Sequence, residues 1–229
     1  MIKAVIFDFD DTLIRVWKSS TKKHIKVAEQ LGLRIPALIE FGKLFGLPWD
    51  EAIARTWPEI DPNKFKEAFN RSKDKTKHSL VNGVDDIIKN CKKENLFLGI
   101  ITSRELRRLN NIAKEIDLKI ENFDYIQAED QNRYKKPDPK VFDNLKKVLK
   151  RNNIIEEQTL YVGDAIYDYW AAKEAGLNFV AVLSGAWTKE EFVSEGLNEK
   201  FIMESLRELP TLISNWDKLE QELGKYIKI

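Results

Sequence analysis

Short apolar runs and segments of helical periodicity alternate over most of the chain. Runs with the length of buried strands are Ala4–Asp8, Leu96–Thr102, Phe123–Ala128, Thr159–Gly163 and Phe179–Leu183. Helical spacing of apolar residues occurs over Val84–Lys93, Glu105–Glu115, Lys140–Lys150 and Tyr167–Ala175. A shorter run over Lys200–Met203 predicts an edge strand, and Leu206–Gly224 predicts closing helices. Because strands alternate with amphipathic helices, the pattern predicts right-handed βαβ units and an α/β fold, with helices on both faces of a parallel sheet.

The segment from Val16 to about Leu80 breaks this alternation. It shows helical periodicity interrupted by glycine and proline, and no convincing strand. About 65 residues is far more than a βα crossover needs. We therefore predict a core formed by residues 1–15 and 81–229, with an inserted helical cap over residues 16–80. The insertion carries 13 Lys and Arg against 8 Asp and Glu, an excess compatible both with an anionic substrate and with solvated helix faces.

The composition of the 229 residues argues against several classes of partner. The net charge of +1 argues against nucleic acid, since proteins that bind the phosphate backbone usually have a clear basic excess. No apolar stretch reaches the ~18 to 20 residues needed to span a bilayer, and the start MIKAVIF lacks the features of a secretory signal. The single cysteine, Cys91, excludes an intramolecular disulfide and suits a reducing compartment. We predict a cytoplasmic protein with no membrane partner and leave its oligomeric state open.

The first predicted strand runs directly into an acidic turn, in which residues 8–13 contain three carboxylates. Side chains two apart on an extended segment share a face, so Asp8 and Asp10 point towards one ligand while Phe9 turns into the core. Two crowded carboxylates repel each other unless a cation or a proton intervenes. Since open α/β sheets bind ligands at the carboxyl ends of their strands, the turn predicts a divalent-metal site. Taken alone, it is slightly more typical of a plain polar strand end.

Two further segments carry groups that bind anions. Thr102 and Ser103 follow the second predicted strand, where hydroxyls and free N–H groups form either an anion site or a helix N-cap. Lys136 precedes Pro137, whose ring restrains the backbone, so its ammonium is aimed more firmly than that of a typical surface lysine. Each of these segments, taken alone, favours the plain structural interpretation: a cap, or a solvated loop lysine.

The fourth predicted strand ends in a second acidic segment. Asp164 lies at the strand end and Asp168 lies four residues further on, in the first turn of a predicted helix. Both are placed to complete a site for a hard cation, and Mg²⁺ prefers oxygen ligands from carboxylates, waters and substrate phosphate. Asp168 also complements the dipole at the start of the helix.

Taken in order, these segments resemble the motifs of the haloacid dehalogenase-like superfamily. FDFDDTL (residues 7–13) is similar to its DxDxT motif, Thr102 to its strand-end Thr or Ser, Lys136 to its lysine, and GDAIYD (residues 163–168) to its GDxxxD motif. The resemblance implies a Rossmann-like three-layer core with a parallel sheet of strand order 5-4-1-2-3. The position of the insertion is similar to that of the α-helical cap of phosphoglycolate phosphatase and β-phosphoglucomutase.

The resemblance also implies roles for the matched residues. Asp8 would be the nucleophile that attacks phosphorus and forms an aspartyl-phosphate. Asp10 would protonate the leaving oxygen and then deprotonate the hydrolytic water. Thr102, Ser103 and Lys136 would bind the oxygens of the transferred phosphoryl group.

The implied cofactor is Mg²⁺. Its ligands would be Asp8, the carbonyl of Asp10, and Asp164, with Asp168 supporting or joining them. Retention of Asp10 and of the metal carboxylates argues against the dehalogenase branch, in which no leaving alkoxide needs a proton.

The predicted function is Mg²⁺-dependent hydrolysis of a small phosphorylated metabolite, a phosphomonoester. Weak candidates for contact with its organic part are Arg15, Trp49 and Arg104. A β-phosphoglucomutase-like phosphomutase and a pyrophosphatase remain alternatives, and a non-catalytic module that binds Mg²⁺ and phosphate is a minor one. The mutase needs a His–Lys pair from the cap, where only His24 and His78 have neighbouring lysines.

Overall fold

The computed structural model of the chain describes residues 1–223. Its strands are β1 (Ala4–Phe7), β2 (Ile14–Arg15), β3 (Ser79–Leu80), β4 (Phe97–Ile101), β5 (Tyr125–Gln127), β6 (Thr159–Gly163), β7 (Asn178–Val182) and β8 (Ile202–Met203). Its helices are α1 (Trp17–Gln30), α2 (Leu38–Gly42), α3 (Trp49–Thr56), α4 (Pro62–Arg71), α5 (Val84–Lys93), α6 (Leu106–Glu115), α7 (Asp143–Arg151), α8 (Ile166–Glu174), α9 (Lys189–Ser194), α10 (Leu209–Ser214) and α11 (Trp216–Leu223). The predicted closing helices correspond to α10 and α11, and the last residue of that prediction, Gly224, lies outside the described residues.

The main sheet has six strands in the order β5-β4-β1-β6-β7-β8, and every neighbouring pair is parallel. Within this sheet, β1, β4, β5, β6 and β7 are the first to fifth strands along the chain, and they occupy the predicted order 5-4-1-2-3. β8 is a sixth strand, beside β7 at the edge. The predicted α/β class with a Rossmann-like core is therefore confirmed. The additional strand falls within the short apolar run that predicted an edge strand.

The register of the central strands brings their carboxyl ends to one edge of the sheet. Phe7 at the end of β1 is level with Ile100 on β4 and with Val162 on β6. These strands are buried on both faces, which explains their continuous apolar sequences. The residues that follow β1, β4 and β6 consequently converge, although they are far apart in the sequence.

The helices α1 to α4 surround a small hydrophobic cluster of their own. Its buried members are Val27, Ala28, Phe41, Ile53, Trp57, Phe65 and Phe69. A second, larger cluster contains the sheet and its flanking helices. These separate clusters support our division into a core (residues 1–15 and 81–229) and a cap (residues 16–80), which remains a proposal.

Two short strands connect the helical insertion to the sheet. Ile14 pairs with Leu80 and Arg15 with Ser79 in an antiparallel ribbon of β2 and β3. The expectation that the segment from Val16 to about Leu80 contains no strand was therefore wrong for Ser79–Leu80. Two residues are too few to show the alternating pattern that identifies a strand. Within residues 1–223, no helix combines the length and the apolar character required to cross a membrane.

Candidate active site

Asp8 and Lys136 form the buried centre of the carboxyl edge. The amide N–H of Asp8 donates to the carbonyl of Val162 over 2.8 Å, which fixes its backbone as a continuation of β1. The Lys136 ammonium donates to Asp8 Oδ1 over 2.5 Å and to Asp168 Oδ1 over 2.6 Å. Only 2% of Lys136 and 4% of Asp8 is exposed, so the pair is shielded from bulk solvent. Such charge-assisted hydrogen bonds hold both side chains in fixed positions.

Three buried carboxylates lie together beside this lysine. One oxygen from each of Asp8, Asp164 and Asp168 lies within 4.8 Å of the other two. Burial raises the pKa of Asp8 to about 7 despite the opposing charge of Lys136, and burial together with neighbouring carboxylates raises the pKa of Asp164. A single ammonium cannot neutralise three carboxylates. An all-oxygen donor set with excess negative charge fits a hard divalent cation such as Mg²⁺.

Two glycines leave room for the acidic side chains. A Cβ on Gly185 would lie 1.9 Å from Asp164 Oδ2, and a Cβ on Gly163 would lie 2.6 Å from Asp168. Any other residue at position 185 would displace the Asp164 carboxylate. Gly163 belongs to a predicted motif, but sequence reasoning missed Gly185, which lies in the loop after β7.

Asp10 lies apart from the three clustered carboxylates and pairs with Arg104. The Arg104 Nη2 group donates to Asp10 Oδ1 over 2.8 Å, and Nε donates to Oδ2 over 3.0 Å. About a fifth of the Asp10 side chain is exposed, towards the cavity above Asp8. The structure thus brings Arg104 to the acidic turn. A contribution of Asp10 to the metal through its carbonyl remains a prediction.

Thr102 and Ser103 line the same cavity at the end of β4. Thr102 is buried, and its hydroxyl accepts a hydrogen bond from the Arg104 N–H over 3.1 Å, as in a local turn. The Ser103 hydroxyl donates to the carbonyl of Gly46 over 2.8 Å and so joins the core to the cap. Both hydroxyls reach the predicted location, but in this state each has a protein partner.

The cap closes over the site and leaves a cavity of about 120 Å³. Its cap wall is mostly apolar, with Phe41, Leu44, Phe45, Leu47 and Trp49, and also carries three polar or charged residues, His24, Asp50 and Lys66. The core wall contains Asp8, Asp10, Thr102, Ser103 and Arg104. Most of the apolar surface of the cavity therefore lies on the cap side, and the acidic turn and the residues after β4 lie on the core side.

Trp49 is fixed within the cap wall by His24. The indole N–H of Trp49 donates to His24 Nε2 over 3.0 Å, and the other ring nitrogen of His24 lies 2.7 Å from the carbonyl of Ser20. Because Nε2 accepts a hydrogen bond, Nδ1 carries the proton that is donated to Ser20. Burial lowers the pKa of His24 to about 4, so the ring is neutral near pH 7. Sequence reasoning did not detect this pair, which joins residues on different helices.

Arg15 is not brought to the cavity. It is exposed on β2 and lines a separate cavity of about 670 Å³, together with Lys18 and Lys77, beside the ribbon of β2 and β3. The structure therefore unites Trp49 and Arg104 with the acidic turn, but places Arg15 elsewhere.

Asp11 and Thr12 have roles in the acidic turn that the sequence did not assign. The Asp11 carboxylate accepts the N–H groups of Val16 and Trp17, which fixes the start of α1, and Asp11 has a φ of 59°. Asp is one of the residues that tolerate this left-handed backbone. The Thr12 hydroxyl donates to Asp164 Oδ1 over 3.1 Å. The turn thus orients a metal-site carboxylate as well as supplying one.

The fold and this site define an α/β enzyme whose acidic centre lies at the carboxyl edge of a parallel sheet. A family model for haloacid dehalogenase-like hydrolases matches residues 5–182. The chain belongs to this family, and the predicted resemblance is confirmed.

Named relatives are phosphatases. The glyceraldehyde 3-phosphate phosphatase of Pyrococcus furiosus is 27% identical over 241 aligned positions, which cover 97% of this chain and 95% of that protein. A candidate pyrophosphatase, PpaX, from Caldanaerobacter subterraneus is 26% identical and covers 96% of this chain and 99% of its own length. The crystal structure of a candidate haloacid dehalogenase-like hydrolase from Bacteroides fragilis has a TM-score of 0.79 at 23% identity, covering 91% of this chain and 100% of that one. At that identity, the structural likeness shows the fold alone.

Proposed function

We propose that the protein is a Mg²⁺-dependent phosphatase that hydrolyses a small phosphomonoester through an aspartyl-phosphate on Asp8. The observation that carries this proposal is the buried Asp8 carboxylate, which is held by Lys136 and flanked by Asp164 and Asp168 beneath the cavity between core and cap. The family and the phosphatase names of the relatives support the same class of reaction.

Asp8 is placed to act as the nucleophile. Lys136 holds its Oδ1, which leaves Oδ2 as the oxygen that forms a bond to phosphorus while the ester P–O bond breaks. Lys136 and Thr102 lie where they can bind the oxygens of the phosphoryl group, and positioning with charge neutralisation is most of what this step requires. Mg²⁺ held by Asp8, Asp164 and Asp168 would supply positive charge that offsets the carboxylates and the phosphoryl oxygens.

Asp10 is proposed as the acid and base. Its proton goes to the leaving alkoxide oxygen, and the resulting carboxylate then accepts a proton from the water that attacks the aspartyl-phosphate. The Arg104 fork occupies both Asp10 oxygens in this structure. We propose that an anionic substrate draws Arg104 away, so that Asp10 becomes available only when a substrate is bound.

The substrate is proposed to be a small phosphorylated metabolite whose organic part contacts Trp49. Because the Trp49 N–H is donated to His24, Trp49 itself offers aromatic surface rather than a hydrogen bond, while Asp50 and Lys66 are the charged cap residues that line the cavity. Glyceraldehyde 3-phosphate, by analogy with the Pyrococcus furiosus relative, is a first candidate. The single, buried cysteine supports a cytoplasmic location as part of the proposal.

A phosphomutase is the less favoured alternative. Its His–Lys pair would require a cap histidine that can reach the substrate, but both ring nitrogens of His24 are already engaged, and His78 lines the separate cavity beside the ribbon of β2 and β3. Pyrophosphate hydrolysis stays open as a second candidate, because PpaX is named for that activity. A non-catalytic binding module is disfavoured, since the nucleophile and all three clustered carboxylates are retained.

The test is phosphate release from a panel of phosphomonoesters and pyrophosphate, with Mg²⁺ and with chelator. Asp8→Asn is the diagnostic variant and Asp143→Asn, at an exposed position on α7, is the matched control. We expect Mg²⁺-dependent release that the control retains and Asp8→Asn loses. Turnover that survives in Asp8→Asn, or that is insensitive to chelator, would refute the mechanism.

A further inference from the structure

Tyr161 lies in the centre of β6, and its ring is completely buried in the core. Its hydroxyl emerges at the acidic site, where it contacts Lys136 Nζ at 3.2 Å and Asp168 Oδ1 at 3.0 Å. A tyrosine hydroxyl in an apolar core costs free energy unless it is hydrogen-bonded. Here both of its partners are charged residues of the proposed phosphoryl and metal sites.

The number of donors on Lys136 and on Tyr161 determines the direction of each hydrogen bond. The Lys136 ammonium has three N–H donors and three partners: Asp8, Asp168 and Tyr161. The Tyr161 oxygen therefore accepts from Lys136, and its own proton is donated to Asp168, which is nearer than the carbonyl of Ile101 at 3.4 Å. Lys136, Tyr161 and Asp168 form a closed triangle of hydrogen bonds.

This triangle has a consequence for the covalent step, and the inference rests on the proposed function. When an oxygen of Asp8 bonds to phosphorus, its carboxylate becomes a neutral acyl group, and its attraction for Lys136 falls. One ammonium donor is then free for a phosphoryl oxygen. The remaining two donors keep Lys136 in place only if Asp168 and Tyr161 still hold them.

We infer that Tyr161 is a positioning residue, which keeps Lys136 aimed at the phosphoryl group while the charge on Asp8 changes. A purely apolar residue at this place would fill the core equally well but would leave one Lys136 donor without a partner. Removal of a single hydrogen bond to a charged group is expected to lower kcat/KM about tenfold.

The test introduces Tyr161→Phe into the wild-type protein and into the Lys136→Met variant and compares its effect in the two backgrounds. Phe keeps the ring and removes only the hydroxyl. Tyr169→Phe is the control, since Tyr169 is also buried but its hydroxyl makes none of the bonds of the triangle. We expect Tyr161→Phe to lower kcat/KM about tenfold in the wild type and less than twofold in Lys136→Met, with no change for Tyr169→Phe.

Binding of inorganic phosphate, measured by calorimetry in wild type, Tyr161→Phe, Lys136→Met and the double variant, gives a readout that does not require turnover. We expect Tyr161→Phe to weaken phosphate binding only where Lys136 is present. Equal effects in both backgrounds, or a lowered Tm with unchanged phosphate binding, would overturn the inference. If the wild type hydrolyses no ester, the proposed function fails, while the phosphate-binding comparison still tests the role of Tyr161.

Discussion

The buried Asp8 carboxyl makes the stability of the metal-free protein depend on pH. Burial raises its pKa to about 7 in the folded protein, against an ordinary value of 3.8. Between these values the folded state keeps a proton that the unfolded state has released. The corresponding stability is fully present below pH 3.8 and is lost as the pH rises through about 7. Integrated between pH 5 and pH 8, the loss is roughly 2 to 3 kcal/mol.

Asp8→Asn removes the part of this dependence that Asp8 contributes, because asparagine has nearly the size of a protonated aspartic acid and does not ionise. Burial also raises the pKa of Asp11 and of Asp164, and their contributions remain in the variant. We expect the free energy of unfolding of Asp8→Asn, relative to wild type, to increase by roughly 2 to 3 kcal/mol from pH 5 to pH 8 in chelator. Urea unfolding followed by tryptophan fluorescence at the two pH values measures it. The free energy of unfolding of Asp143→Asn should differ from that of wild type by the same small amount at pH 5 and at pH 8. A difference between Asp8→Asn and wild type that does not grow with pH would refute the raised pKa of Asp8.

Mg²⁺ should reverse the trend in the wild type, because carboxylates must be ionised to bind a metal. The stabilisation by saturating Mg²⁺ is therefore expected to be larger at pH 8 than at pH 5 and to be reduced in Asp8→Asn. Equal stabilisation of wild type at both pH values would show that the ion binds outside the acidic cluster.

Three further changes test separate parts of the site. Gly185→Ala should abolish the stabilisation by Mg²⁺, because the added Cβ would collide with the Asp164 carboxylate. It should also lower turnover at least a hundredfold, roughly 3 kcal/mol of activation free energy. Unchanged Mg²⁺ binding by calorimetry would contradict this prediction. Arg104→Met should lower kcat/KM about tenfold or more, because the guanidinium that would bind the anionic substrate is lost. Arg104→Lys should recover only part of the activity, since an ammonium cannot form a bidentate pair with that anion. Full activity of the Met variant in steady-state assays would exclude a role for Arg104. Trp49→Ala should raise KM several-fold and leave kcat within about twofold, as expected for loss of ground-state contact with the organic part; an effect on kcat alone would argue against that contact.

Much of the core and the acidic residues of the candidate site could be predicted from local sequence. Continuous apolar runs identify strands that are buried on both faces, and parallel strands necessarily bring their carboxyl ends to one edge. Asp8, Thr102 and Asp164 could therefore be grouped without coordinates. The ribbon of β2 and β3 could not, because its strands are two residues long and carry no period.

What only the tertiary structure decided are the contacts between residues far apart in sequence. Arg104 reaches Asp10 across 94 positions and Lys136 reaches Asp8 across 128, and no local pattern encodes either pairing. Tyr161 has the sequence signature of an ordinary core aromatic, and only the packed sheet shows its hydroxyl at the acidic site. The sequence by itself determined which elements form and which ends carry charge, since these depend on local periodicity. The structure decided which side chains meet, because that depends on how the separate elements pack.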